Sequence, residues 1–284
     1  MGIKQFIYNA SVHGLFRPLA KPVHGGMVSL ALCAEKFLDS MASTAQEQAF
    51  IHENITAVIK TFERPKVLER LLKSLKRIYP EMKVIVVDDS REPVRQEGVE
   101  TIVMPYDSGV SAGRAEALKH ISTPYMLLLD DDFIFNRHTR IFPVAEKLEK
   151  NRNIDIIGGD VIYLPFYRKI DYTQAGLHPT NAVSVIRPGT AIDSMRVYDK
   201  VANFYVARTE SIRKVGWDPA IKRLDHADFF TRAKGVLTTV FDPEFKVLHA
   251  RTPFDKAYME KRLDLEEDRE RLWQKYYRQE PTRS

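Results

Sequence analysis

Three consecutive carboxylates, Asp130, Asp131 and Asp132, follow directly on an apolar run from Tyr125 through Met126, Leu127, Leu128 and Leu129. Bulky residues without polar alternation read as a strand buried on both faces, as in the middle of a parallel sheet. Unpaired charge cannot follow such a strand into a core, because burying it is strongly unfavourable. The strand must end at an edge where something offsets the negative charge. Hard oxygen ligands suit a divalent cation such as magnesium or manganese. A solvated acidic turn is the alternative reading of the triplet alone.

Other groups with chemical potential lie before and after it. Asp88 and Asp89 close a second apolar run. A carboxylate at a strand end can accept hydrogen bonds from a nucleobase or ribose, and helix capping by Asp89 or Ser90 is the alternative. Gly109-Val-Ser-Ala-Gly113-Arg114 is a small-residue segment leading into a helix. Exposed amides at a helix start hold phosphate well, and Arg114 can add a bidentate contact; close packing of helix on sheet is the other use of such residues. Asp225, His226 and Asp228 head a helical segment whose Phe229 and Phe230 face the core. Asp228 is the candidate general base, with Asp225 an N-cap or a competitor. His249 follows an apolar strand, where an imidazole either completes a carboxylate-bound metal site or is structural.

The elements that would position these groups alternate regularly from Ile55. Ile55–Phe62 reads as a strand. Pro65 opens a helix with Leu68, Leu71, Leu72, Leu75 and Ile78 on one face, and Pro80 ends it. Lys83–Val87 and Val99–Met104 read as strands, Gly109–His120 as a loop and helix, and then comes the strand into Asp130. Such alternation predicts a doubly wound, mostly parallel sheet flanked by helices, with ligands bound beyond the carboxyl ends of the strands. Lys60–Arg64, Asp88–Ser90 and Asp130–Asp132 gather at that edge. The second half is more mixed. Strands are expected at Ile154–Leu164, Val201–Ala207, Leu237–Phe241 and Phe245–His249, helices at Thr209–Val215 and Asp225–Ala233, and one charged helix at Asp255–Arg278. Before Ile55, the residues Gly14, Pro18, Pro22, Gly25 and Gly26 break up the first half of the segment, and residues 27–50 read as helical. The chain therefore divides into an N-terminal arm (1–54), a catalytic domain (55–250, with a nucleotide half to 135 and an acceptor half beyond) and a C-terminal helix (251–284).

The net charge of +5 and pI near 9.1 point weakly to anionic partners, since the basic residues are scattered. No basic–aromatic motif suggests nucleic acid. With Cys33 the only cysteine, no disulfide forms within the chain, and the cytosol is the default compartment. The apolar run Met27–Ala34 is too short to span a bilayer.

Taken together, these segments resemble an inverting glycosyltransferase of the GT-A fold in the family 2 class. The ordered set consists of Thr61-Phe62-Glu63-Arg64, Asp88-Asp89-Ser90, Gly113-Arg114 and Asp130-Asp131-Asp132. Within that class the chain is most similar to the ganglioside-type β1,4-N-acetylgalactosaminyltransferases. That likeness rests on Lys60-Thr61-Phe62-x-Arg64, Asp130-Asp131-Asp132-Phe133, Ile157-Gly158-Gly159, Asn203-Phe204-Tyr205-x-Ala207-Arg208-Thr209 and Val215-Gly216-Trp217-Asp218-Pro219. It covers about residues 55–250.

The resemblance implies a UDP-sugar donor and Mn2+ or Mg2+. Thr61, Phe62, Arg64 and Asp88 or Asp89 would hold the uridine, and Gly113 and Arg114 the nucleotide or diphosphate. Asp130 and Asp131 would face ribose or metal, Asp132 and His249 would ligate the metal, and Asp228 would be the base. Relatives often carry Asn after the Gly-Arg pair, where this chain has Ala115. They commonly have Glu or a Glu-Asp pair at the base position, where Ala227 precedes Asp228. The expected reaction is transfer of a hexose or N-acetylhexosamine to a glycan or lipid-linked glycan hydroxyl, in bacterial surface polysaccharide or lipopolysaccharide synthesis. The expected setting is cytoplasmic, with peripheral membrane contact and homo-oligomerisation as further possibilities. The animal relatives are Golgi-anchored, and no anchor is read here. The competing readings are a sugar-nucleotide nucleotidyltransferase, which would need a basic glycine-rich loop that Thr61–Pro65 lacks, and a non-catalytic glycan-binding or scaffold protein.

Overall fold

The computed structural model describes residues 17–38, 43–171, 173 and 176–278. Its centre is β1 (Ile55–Thr61), buried at every position. Unbroken burial requires neighbours on both edges and helices on both faces. Parallel to β1 on one side runs β2 (Lys83–Asp88), extended by β3 (Glu100–Val103). On the other side runs β4 (Tyr125–Asp130), also parallel. The register sets Thr61 opposite Asp88 and Lys60 opposite Asp130, so the three strands end level with one another. The polar residues that follow them are thereby delivered to one edge.

Beyond β4 the sheet becomes mixed. The short β5 (Phe133–Ile134) follows β4 in the chain. β10 (Tyr205–Arg208) is antiparallel to both β4 and β6 (Ile156–Tyr163), while β11 (Thr239–His249) runs parallel to β6. The short strands β7 (Arg168–Lys169), β8 (Ala191–Ile192) and β9 (Met195–Val197) complete it. The main path is β3-β2-β1-β4-β10-β6-β11-β9-β8, with β5 paired to β11 and β7 to β6. Close approach explains Gly159 in β6, because a Cβ there would run into the Phe245 carbonyl and the Phe204 ring.

Alternate strand residues feed two cores. On one face α3 (Pro65–Ile78) and α5 (Ile141–Lys150) pack Leu68, Leu71, Leu75, Val144 and Leu148 against Ile59, Leu127 and Leu129. On the other, α4 (Val110–His120), α6 (Thr209–Val215) and α7 (Asp225–Ala233) pack Ala117, Ile212, Phe229 and Phe230 against Val58, Met126 and Leu128.

The structure departs from the sequence reading at several places. At the N-terminal end, α1 (Arg17–Leu38) runs straight through Pro18, Pro22, Gly25 and Gly26. Pro18 lies in the first turn, where its missing N–H has no helical partner. Each glycine costs about 1 kcal/mol relative to alanine, and packing of Val28, Ala31 and Leu32 on Ile134, Leu164, Leu248 and Ala250 offsets it. The helical stretch expected at 27–50 is two pieces, since α2 (Ala45–Asn54) has its own Thr44–Glu47 capping box. The two strands expected at 237–249 are one strand, β11, with a register shift between Phe241 and Lys246. The strand expected at 201 begins only at Tyr205. The charged C-terminal helix is also two, α8 (Lys256–Leu263) and α9 (Glu266–Tyr276). Among the described residues no helix is long and apolar enough to cross a membrane.

Candidate functional site

The carboxyl edge of β1, β2 and β4 opens into a cleft of about 310 Å³, roofed by α8 and closed at one side by the turn before α7. Cavities of ~300–1,000 Å³ hold drug-sized ligands. Its polar wall is built from charge pairs. Lys60, buried at the end of β1, bonds Asp89, whose other oxygen accepts from the Gly109 N–H at 2.9 Å. Burial pushes the Lys60 ammonium down, and Asp89 opposes this. Phe62 lines the cleft with its ring 5.5 Å from Tyr106. Glu63 takes a positive φ of 55°, a sparsely occupied region for a side chain of its size, and this turn aims Arg64 back across the cleft.

The acidic triplet does not simply stop at solvent. Only Asp130 is well exposed; Asp131 and Asp132 are buried. The expectation that these carboxylates stay out of the interior is corrected by Arg64, which bonds Asp131 and, at 3.1 Å, Asp132. Thr61 Oγ1 donates to Asp131 at 2.8 Å. Burial raises the Asp131 carboxyl despite Arg64. At Asp132 burial acts the same way, but the adjacent His249 and Arg64 outweigh it and hold the group low. The Arg64 guanidinium in turn lies 3.7 Å from the ring centroid of Tyr258 on α8, a cation–π contact.

His249, at the end of β11, is the test of a metal site. Its Nε2 lies 2.9 Å from Asp132 Oδ1, yet neither ring nitrogen has a hydrogen-bond partner among the described residues. The contact is an ion pair in character and helps to hold Asp132 low. A buried imidazole nitrogen facing a carboxylate oxygen in this way fits a divalent cation. Among the described residues there is no group of three or more His, Cys, Asp or Glu side chains around one point. Asp132 and His249 are thus a two-ligand set, and a cation there would take further ligands from phosphate or water.

Arg114 sits inside the first turns of α4, not in a loop, because α4 starts at Val110 with Gly109 as its N-cap. Gly113 is likewise helical, and a Cβ there would collide with the Lys60 side chain, so its smallness serves packing rather than a phosphate cradle. Arg114 is buried and bridges Asp225 and Asp130. Burial works against its charge, and the two carboxylates hold it on. Asp225 is the first residue of α7, makes no side-chain cap, and lines the cleft. Burial raises its carboxyl, with Arg114 opposing.

Besides Gly113 and His249, two further expected site residues do not line the cleft. Asp88 closes the turn after β2, accepting from the Ser90 and Val94 amides at 2.9 and 3.2 Å, and does not line the cleft. Asp228, the expected base, is also absent from the cleft wall. Its oxygens accept from Arg232 at 2.9 Å, Lys275 at 2.7 Å and the Tyr276 hydroxyl at 2.7 Å. Burial would raise Asp228, but these partners hold it below the usual carboxylate range. That is a clasp between α7 and α9, poorly placed to receive a proton from a ligand in the cleft. His226 pairs its Nε2 with the Val201 carbonyl at 2.6 Å, and burial lowers it to about 3, so it is neutral.

Several cleft residues were not anticipated: Asp107, Arg223, Tyr258, Lys261 and Arg262; Lys60 and Asn203 fall in segments that carry the resemblance but were assigned no role. Tyr258, Lys261 and Arg262 have i, i+3, i+4 spacing, the one sequence signal that they share a helix face.

Comparison with known proteins agrees with this architecture. Residues 56–205 match the family model described as glycosyl transferase family 2. The chain is 36% identical over 214 residues to mouse β1,4 N-acetylgalactosaminyltransferase 2, covering 72% of this chain and 41% of that protein. It is 34% identical over 207 residues to human β1,4 N-acetylgalactosaminyltransferase 1, covering 69% and 39%. The chain thus spans about two fifths of the curated relatives it matches. Among solved structures it resembles S. aureus TarS 1–349 in complex with UDP, with TM-score 0.54 and 16% identity over 73% of this chain and 63% of that one. It also resembles GalNAc-T7 with UDP, GalNAc and Mn2+, with TM-score 0.52 and 16% identity over 78% and 49%. These neighbours share the GT-A fold, and with more than half its length matched by the family model, the chain belongs to glycosyl transferase family 2.

Proposed function

We propose that the protein transfers a hexose or N-acetylhexosamine from a UDP-sugar to a glycan hydroxyl, with inversion at the anomeric carbon. The observation that carries this reading is Asp132, which lines a cleft on the carboxyl edge of the parallel strands and is backed from behind, 2.9 Å away, by the buried imidazole of His249. N-acetylgalactosamine is the favoured sugar, because the curated relatives are named for its transfer. The acceptor we propose belongs to the surface polysaccharide or lipopolysaccharide class.

Asp132 and His249 would hold Mn2+ or Mg2+, which as a Lewis acid offsets charge on the departing diphosphate. The chain's own cations act in the same direction: Arg64 at the floor, with Lys261 and Arg262 on α8, line the cleft above the triplet. Phe62, beside Tyr106, offers an aromatic wall to the base, and the exposed Asp130 offers an acceptor to the ribose hydroxyls. Asp225 replaces Asp228 as the proposed base. It lies in the cleft, burial strengthens it as a proton acceptor, and Arg114 fixes its orientation.

Calorimetric titration with UDP and UDP-sugars, in manganese and in EDTA, tests the donor site on wild type and on Asp132→Ala and His249→Ala. Metal-dependent binding lost in both variants is expected. Failure to bind any uridine nucleotide would overturn the reading.

A further inference from the structure

Both oxygens of Asp132 are engaged. Its Oδ1 faces the His249 imidazole at 2.9 Å, and its Oδ2 accepts from Arg64 Nη1 at 3.1 Å. The other terminal nitrogen of Arg64, Nη2, bonds Asp131. One guanidinium thus bridges two buried carboxylates, on the side of Asp132 that His249 leaves to the cleft. Arg70 and Arg262 also feel the charge of Asp132, but their own bonds run to the Ala250 carbonyl at 2.8 Å and the Tyr258 hydroxyl at 3.1 Å. Among the described residues Arg64 is the one guanidinium bonded to Asp131 and Asp132.

The same side chain is not fully used where it lies. Arg64 is 7% exposed, yet it lines the cleft. Its Nε has no hydrogen-bond partner among the described residues, and its contact to Thr252 Oγ1 is long at 3.4 Å. A buried donor left unpaired is unfavourable, and an anion entering the cleft would satisfy it. Arg64 is also the N-cap residue of α3, so the helix that Pro65 opens sets its backbone and a change of partner involves the side chain alone. A planar fork with an unused donor, lying beside an acidic pair, is equipped to pass from one anion to another.

We propose that Arg64 is the resting counter-ion of Asp131 and Asp132, and that it gives up Asp132 to a divalent cation only when a diphosphate is present to receive its guanidinium. The inference rests on the UDP-sugar reading above. Buried like charges a few ångströms apart are poorly screened, so a metal ion alone meets carboxylates that the chain has already partly neutralised. A diphosphate brings the negative charge that draws the fork away and fills the empty place at Nε. Metal and nucleotide binding are then positively coupled, and each raises the affinity of the other by the same factor. Arg64 therefore acts on the two partners with opposite sign: it opposes the metal and favours the diphosphate.

The test is Mn2+ binding to the full chain without nucleotide, read from the free-ion signal in electron paramagnetic resonance. Arg64→Gln is expected to bind Mn2+ about tenfold more tightly than wild type, and Arg64→Gln/Asp132→Ala to lose that gain. With Mn2+ present, calorimetry should show Arg64→Gln binding UDP about tenfold more weakly. A residue that only supports the fold would weaken both, and one that only holds the diphosphate would leave Mn2+ alone unchanged. Should Arg64→Gln not fold, Arg64→Lys decides. It keeps a positive charge, but an ammonium cannot bridge two carboxylates as a fork does, and a gain of about threefold in Mn2+ affinity is expected. The inference is overturned if Mn2+ binds wild type as tightly as the folded variant, or if the double variant keeps the gain. Failure of wild type to bind any uridine nucleotide is a separate result: it overturns the UDP-sugar reading, while the nucleotide-free comparison still decides whether Arg64 guards Asp132.

Discussion

Asp225 and Asp228 stand three residues apart on α7 in opposite electrostatic settings. Asp225 is raised by burial against a single guanidinium, whereas Asp228 is held down by an ammonium, a guanidinium and a phenol. A group held low is a weak proton acceptor, so catalytic and structural roles should separate on mutation. Asp225→Asn is expected to lower kcat by roughly a hundred- to ten-thousandfold while leaving UDP affinity nearly unchanged. Asp228→Asn is expected to leave most of kcat and to lower stability by about 2–3 kcal/mol, because charge-assisted bonds to Lys275 and Arg232 are weakened. The pH dependence follows from the sign of the shift. A carboxyl depressed on folding contributes stability above its unfolded pKa, about 3.9, and loses it as pH falls through the folded value. The stability gap between wild type and Asp228→Asn should therefore be full from pH 5 to 7 and close below about pH 4, as read by urea unfolding. A gap that persisted unchanged at pH 3, or a kcat lost in Asp228→Asn alone, would reverse the assignment.

At the scale of elements, the turn feeding α7 is held from outside the family-matched region. Asp268 on α9 is buried and accepts from the Lys222, Arg223 and Leu224 amides at 2.8, 2.6 and 2.9 Å. The Lys222 carbonyl in turn accepts from Val110 at the head of α4 at 2.6 Å, so one carboxylate anchors the segment that presents Arg223 and Asp225. Asp268→Ala leaves three amides without their acceptor, and each such loss costs on the order of 1–3 kcal/mol. A marked fall in Tm is expected, with Asp268→Asn milder because it keeps a carbonyl acceptor; a Tm within experimental error of wild type for Asp268→Ala would show that water replaces the carboxylate. Such a contact is not legible in sequence, because an Asp in a charged helix resembles every other exposed acid. What could be read were unbroken apolar runs and helical spacing, which place β1, β2, β4, α3, α6 and α7 and deliver Thr61 and Asp130 to one edge. The choice between Asp225 and Asp228 could not be read, since both fall near the same helix face and the deciding partners lie near residue 275. The path of α1 through its prolines and glycines was hidden for the same reason, because Ile134, Leu164 and Leu248 hold it there.

For the whole molecule, the family match ends at residue 205, yet Arg223, Asp225, Tyr258, Lys261 and Arg262 of the cleft wall, and His249 beside Asp132, all come later in the chain. The sheet edge and the C-terminal helices therefore form one site, in which the roof helix α8 meets the rest through Arg64 on Tyr258 and Lys261 near Asp107 at 3.9 Å, while α9 is anchored by Asp268 under the turn before α7 and by the Asp228 clasp. If the roof helix must lift to release the donor, ligand and roof are thermodynamically linked, and whatever binds only the closed form suppresses opening. A donor at about a hundred times its Kd adds about 2.7 kcal/mol to the opening free energy, which slows exchange of the affected amides about a hundredfold. Hydrogen exchange with UDP and manganese should then show that protection across Lys256–Leu263 and the 222–224 turn. Strand β3, at the far edge of the sheet, should be unaffected. Protection of the β1 and β4 ends without any change in α8 would mean that the donor lies beneath a roof that takes no part in holding it. Lys261 and Arg262 would then lose their proposed role on the diphosphate, and Arg64 alone among the three cations would retain it.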